Sequence, residues 1–175
     1  MSAESKDSPY KLCLMRHGIA VARIAGASLD DAKRPLTPDG KNRVKSVAQG
    51  LSKAGFVPAW ILASPLVRAV ETAEIVGESL GSNVPLDFCD ALAPGGTPEA
   101  LLTFLAKHAQ RRSVLAVGHE PDLSELAARL LGASRHANLA FKKAGCCLIA
   151  FDQFPPKSPG RLLWWLTPRL LRKLA

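Results

Sequence analysis

No stretch of this 175-residue chain is apolar for long enough to span a bilayer. The first nine residues mix Glu4 and Asp7 with serines and lack the apolar core of a secretory signal. A cytoplasmic protein with no membrane partner is therefore expected. The sequence has no internal repeat of fixed period and no low-complexity segment, which excludes a solenoid. With 47% hydrophobic and 22% charged residues it does not have the composition of a disordered chain. Its four cysteines (Cys13, Cys89, Cys146, Cys147) show no metal-ligand spacing. Within a strand, the adjacent Cys146 and Cys147 point to opposite faces and cannot chelate together, so reduced cysteines filling the core are expected. No aromatic-rich basic patch favours a nucleic-acid partner.

What is present fits one domain with a proper core, expected over residues 10–175 behind a disordered or extended tail at 1–9. The formal charge of +8 suits an anionic partner without identifying it. Tyr10 to Met15 is a mostly apolar run that reads as a buried parallel strand, and it stops on Arg16-His17-Gly18. The tripeptide alone is equally at home in a capped helix start or a solvated turn. Its glycine permits a sharp turn and close approach of a ligand.

After a loop through Lys33, Thr37-Pro38-Asp39 opens an amphipathic helix with Val44, Val47, Ala48 and Leu51 on one face, ending at Gly55. The strand Ala59 to Ala63 runs into Ser64-Pro65, which reads as a second cap and proline, for a helix to about Leu80 with Val67, Val70, Ala73, Ile75 and Val76 inward. Arg68 lies in its first turn, where the helix dipole disfavours a cation, so an anion is expected beside it. Val84 to Phe88 is an edge strand because of Pro85. Thr97-Pro98-Glu99 opens a third helix with Leu101, Leu102, Leu105 and Ala109 inward. The buried strand Ser113 to Val117 ends on Gly118-His119-Glu120-Pro121, and Asp122 is placed to cap the helix that follows. Two further strands, Ala144 to Phe151 and Arg161 to Leu166, close one side. A short basic helix from Pro168 is expected to pack on the domain itself. His108 and His136 read as solvated, and Lys142 and Lys143 as a solvated loop in preference to a contact for an acidic partner surface.

Strands alternating with helices predict an α/β three-layer sandwich, with a mostly parallel central sheet and helices on both faces. The carboxyl ends of the parallel strands then share one edge, where Arg16, His17, Arg68 and His119 converge. Two guanidiniums and two imidazoles without a carboxylate cluster repel a divalent metal and invite a tetrahedral oxyanion, so no metal and no cofactor are expected. One imidazole can attack phosphorus and form a phosphohistidine, and His17 is the better placed.

Leu14-Met15-Arg16-His17-Gly18, the stretch Ala63-Ser64-Pro65-Leu66-Val67-Arg68-Ala69 with Thr72-Ala73, and Val117-Gly118-His119 together resemble the three motifs of the histidine phosphatase, or phosphoglycerate-mutase-like, superfamily. Arg34-Pro35-Leu36-Thr37 and the Trp165-Leu166-Thr167-Pro168 ending are similar to its SixA-type phosphohistidine phosphatases, and the likeness runs from Lys11 to Pro168. The resemblance implies that His17 is the phosphoryl acceptor, with Arg16, Arg68 and His119 forming the phosphate pocket and Gly18 beside it.

Many members place a glutamate after the third strand as proton donor to an alcohol. Here that segment reads Cys89-Asp90-Ala91-Leu92-Ala93-Pro94, which offers Asp90 in its place, and in a phosphatase of small esters Asp90 or Glu120 would serve as the acid. Without a general acid an alkoxide departs poorly, whereas imidazole departs neutral once protonated. The expectation is a metal-independent phosphatase acting on phosphohistidine in a signalling or phosphocarrier protein. The alternative is a phosphatase of small phosphate esters such as sugar phosphates. A mutase or a non-catalytic phosphate- or nucleic-acid-binding module is less favoured, and the oligomeric state is not readable.

Overall fold

The computed structural model describes residues 10–23, 30–81, 83–134 and 137–175. The proposed tail at 1–9, part of the loop before Lys33, and His136 lie outside them. Six strands form one sheet: β1 (Tyr10–Arg16), β2 (Trp60–Ala63), β3 (Leu86–Phe88), β4 (Ser113–Gly118), β5 (Cys146–Phe151) and β6 (Arg161–Leu166). Their order is β3-β2-β4-β1-β5-β6. The first four are mutually parallel, while β5 runs antiparallel to β1 and β6 antiparallel to β5. Pro85 lies just outside β3, which forms one edge, as its missing donor requires.

The period of two along each inner strand divides the core into two layers. Cys13, Met15, Ile61, Ala63, Leu115 and Val117 face one side, with Val44, Val47 and Leu51 of α1 (Pro38–Lys53), Ala69, Ala73 and Val76 of α2 (Val67–Ser79) and Leu171 of α5 (Pro168–Leu174). Leu12, Leu14, Trp60, Leu62, Val114 and Ala116 face the other, with Leu101 and Leu105 of α3 (Pro98–Ala106) and Leu123, Leu126 and Leu130 of α4 (Asp122–Leu130). The result is the three-layer sandwich expected, and Cys146 and Cys147 fall on opposite faces of the sheet. All four cysteines are buried and free.

Three helices begin on threonine followed by proline, and each threonine hydroxyl accepts a backbone amide: Thr37 from Gly40, Thr97 from Ala100 and Thr167 from Leu170. The basic C-terminal helix packs on α1 so closely that a Cβ at Gly50 would collide with the Leu171 carbonyl.

Several local expectations are corrected. Ser64 does not cap α2, which starts at Val67 with Leu66 at the cap position and no side-chain bond there. Ala69 and Thr72 are buried on that helix, whereas Val67 and Val70 are only half-buried. Ala109 falls beyond the end of α3. Asp122 is the first residue of α4 rather than its cap, and its carboxylate accepts the Gly95 amide at 2.9 Å. His108 is not a solvated side chain: its ring lies 5.0 Å from those of both Trp60 and Phe104, and its Nδ1 donates to the Phe104 carbonyl at 3.0 Å. Among the described residues no helix is long and apolar enough to cross a membrane.

Candidate active site

Strand register brings the distant motifs together. Arg16 of β1 stands opposite Gly118 of β4, and Ala63 of β2 opposite Val117, so His17, Ser64 and His119 all leave the sheet at one edge. The His17 amide donates to the Gly118 carbonyl at 3.1 Å and the Ser64 amide to the Val117 carbonyl at 3.0 Å, which carries the sheet pattern one step past the strands. Two residues into α2, Arg68 turns back over the same edge. Arg16, His17, Arg68 and His119 line one cavity of about 370 Å³, together with Arg23, Asp31, Arg34, Pro94, Glu120 and Lys143.

The two imidazoles face each other with centroids 5.0 Å apart. His17 Nδ1 lies 2.7 Å from the Gly18 carbonyl. A carbonyl only accepts, so Nδ1 carries the hydrogen and Nε2 keeps its lone pair. Burial, against the pull of that carbonyl and assisted by the charges of His119, Arg68 and Arg16, lowers the His17 pKa to about 3, so the ring is neutral at physiological pH. Gly18 is itself fixed by donating its amide to the Thr72 hydroxyl at 3.0 Å, and that hydroxyl donates to the Arg68 carbonyl at 2.6 Å. Gly18 does not line the cavity, has no positive φ, and is small because a Cβ would sit 2.7 Å from Val44 Cγ2.

His119 Nε2 lies 2.8 Å from the Ser64 hydroxyl, which already accepts the Leu66 amide at 3.3 Å. We assign the hydroxyl hydrogen to Nε2, which places the imidazole hydrogen on Nδ1. Burial, then the charges of Arg68, Arg16 and Arg34, lower the His119 pKa to about 4, with Asp31 opposing. Among the described residues, three buried nitrogens, Arg16 Nε, Arg68 Nε and His119 Nδ1, have no hydrogen-bond partner, and all belong to residues lining this cavity. A ligand offering several acceptor oxygens satisfies such a set.

The carboxylates are the part that sequence reasoning missed or misplaced. Asp31 takes the anion position expected beside Arg68: its backbone carbonyl accepts from Arg68 Nη1 at 2.7 Å and its carboxylate lies 3.2 Å from Nη2. The same carboxylate meets Arg34 and Arg23 at 2.8 Å each. Burial pushes its pKa up, but those bonds and the Arg68 charge outweigh it and hold the value at about 2. Glu120 lines the cavity, yet its oxygens accept the Phe141 amide and the Ser124 hydroxyl, both at 2.6 Å. Phe141 in turn gives its carbonyl to Arg16 Nη1 at 2.8 Å, so Glu120 braces the segment that orients Arg16. Asp90 sits on the short helix Asp90–Leu92 and does not line the cavity. Among the described residues no group of three or more His, Cys, Asp or Glu is placed to hold a metal ion.

The depressed histidines predict an acid response. Both have folded-state pKa values below the unfolded 6.5, so the unfolded chain binds more protons and stability falls as pH drops from about 6.5 toward 4. By pH 5 the two account for about 4 kcal/mol, or roughly 10 °C in Tm. Saturating tungstate, an oxyanion that raises the proton affinity of the imidazoles, is expected to reduce that drop. Equal losses with and without tungstate in thermal melts at pH 7.5 and 5 would count against an oxyanion bound beside the two imidazoles.

Residues 12–93 match the family described as histidine phosphatase superfamily (branch 1). A protein of Picosynechococcus sp. with no characterised activity is 40% identical over 137 residues, covering 77% of this chain and 81% of that one. The phosphohistidine phosphatase SixA of Escherichia coli K12 is 30% identical over 119 residues, 67% of this chain and 71% of SixA. A solved structure of the protein histidine phosphatase SixA complexed with tungstate superposes with a TM-score of 0.78 at 25% identity, covering 92% of this chain and 99% of that one. Sheet order, motif placement and these similarities lead to one conclusion: the chain belongs to the histidine phosphatase superfamily.

Proposed function

We propose that this phosphatase hydrolyses phosphohistidine carried by a signalling or phosphocarrier protein, with His17 as the covalent phosphoryl acceptor and no metal. Family and relatives support the hydrolysis of phosphorylated compounds. The choice of substrate rests on one observation: no carboxylate lining the cavity is free to protonate a leaving alkoxide. Asp31 is bound by three arginines and Glu120 is spent on Phe141 and Ser124.

In the first step the neutral Nε2 of His17 attacks phosphorus in line as the P–N bond to the substrate imidazole breaks. That imidazole, protonated beforehand at its other nitrogen, departs neutral and needs no acid from the protein. Arg16, Arg68 and His119 Nδ1 carry the charge on the three equatorial oxygens, the work a metal does elsewhere. Water then attacks phosphorus, the P–Nε2 bond breaks, and inorganic phosphate leaves with His17 restored.

The test is a comparison of kcat/KM on a histidine-phosphorylated phosphotransfer domain and on sugar phosphates. The phosphoprotein is expected to be preferred, and Asp90→Ala to leave its rate unchanged. Sugar phosphates turned over faster, with that activity lost in Asp90→Ala or Glu120→Gln while the rate on the phosphoprotein is kept, would establish the small-ester alternative instead.

A further inference from the structure

Next to the catalytic cavity lies a second recess, of about 340 Å³, whose lining includes Arg16, Arg43, Lys142, Lys143 and Arg172. These cations come from β1, α1, the segment before β5, and α5, and no carboxylate lines the recess. Arg43 is paired with Asp39 on its own helix at 2.7 Å. Among the described residues, no carboxylate forms an ion pair with Lys142, Lys143 or Arg172. Arg16 and Lys143 line both hollows, so the recess opens directly beside the phosphoryl site. Gathering Lys142, Lys143 and Arg172 without counter-ions does nothing for folding, because each pair repels. Such an arrangement is useful only toward an anionic partner.

We propose that this recess docks an acidic face of the phosphorylated protein, immediately flanking its phosphohistidine. The kind of anion follows from how the cations are held. In the catalytic cavity, buried forks with unpartnered nitrogens grip one compact oxyanion. In the recess, Arg43, Lys142, Lys143 and Arg172 are exposed and solvated. Solvated cations spread over several elements act at range on a surface of carboxylates, steering and orienting it, more than they hold a small dianion. The inference rests on the phosphohistidine-protein reading given above.

The experiment compares the wild type with the double variant Lys142→Glu/Arg172→Glu. The substrates are a histidine-phosphorylated phosphotransfer domain of net negative charge, free phosphoramidate, and a small bisphosphorylated sugar. The variant is expected to lose about tenfold or more in kcat/KM on the phosphoprotein, chiefly through KM. Its phosphoramidate rate should stay at the wild-type level, which also reports correct folding. The wild-type rate on the phosphoprotein should fall as salt rises, more steeply than that of the variant, and Lys142→Gln/Arg172→Gln should lie between the two. Equal losses on phosphoprotein and phosphoramidate, or no loss on either, would overturn the docking assignment while leaving the phosphohistidine reading intact. A loss confined to the bisphosphorylated sugar would make the recess a small-anion site and overturn it as well. Wild-type failure to turn over either phosphoramidate substrate would instead remove the functional reading on which the assignment rests.

Discussion

Replacing His17 with alanine is expected to reduce turnover by at least about a thousandfold and to abolish acid-labile phosphate labelling of the protein. The expectation follows from the ring's two nitrogens having different tasks. Nδ1 is committed to the Gly18 carbonyl, whose own amide is held by Thr72, so the imidazole can present only Nε2 to phosphorus. Burial keeps that nitrogen unprotonated, so no general base is needed to activate it. The fold should survive, because His17 lies past the end of β1. Rapid-quench labelling with a radiolabelled substrate checks the prediction. Labelling that persisted in His17→Ala would move the acceptor role to another side chain, and His119 would be the one to examine.

The second large effect is expected at Arg68. Its guanidinium is held at Nη1 and Nη2 by Asp31, which leaves Nε without a partner beside the cavity. Arg68→Ala is expected to lower kcat/KM by roughly a hundredfold to a thousandfold and to weaken tungstate inhibition, since a charge-assisted fork is lost where phosphoryl charge spreads. Arg68→Lys should recover little, because an ammonium keeps the charge but cannot reproduce a planar group that holds Asp31 with two nitrogens and offers a third. Inhibition constants for tungstate, measured beside the rates, separate the two contributions. An alanine variant that bound tungstate as tightly as the wild type would exclude Arg68 from the oxyanion site.

Much of this was legible in the sequence because it is written in local chemistry. Threonine followed by proline sets the start of α1, α3 and α5, and alternation assigns each residue of β1 and β4 to a face. What was not legible depends on partners far apart along the chain. Ser64 has the sequence context of a helix cap, but its hydroxyl is taken by His119, 55 residues away. Asp31 lies in a segment without periodicity and meets Arg68, 37 residues on. One signal for it was present: an arginine in the first turn of a helix demands a nearby anion, and the protein supplies that anion itself. The sequence offers Glu120 as a candidate acid for a small-ester phosphatase. Only the folded chain shows that it props the Phe141 segment against Arg16.

The strands that lead into His17 and His119 are the two innermost of six, each bonded to neighbours on both sides. Fraying begins at margins, here the short β3 and the exposed first half of β6. Breathing at either margin leaves the distance between the imidazoles untouched, and parting them requires splitting the sheet along its midline. Catalytic competence and global integrity should therefore be lost together in a single cooperative event.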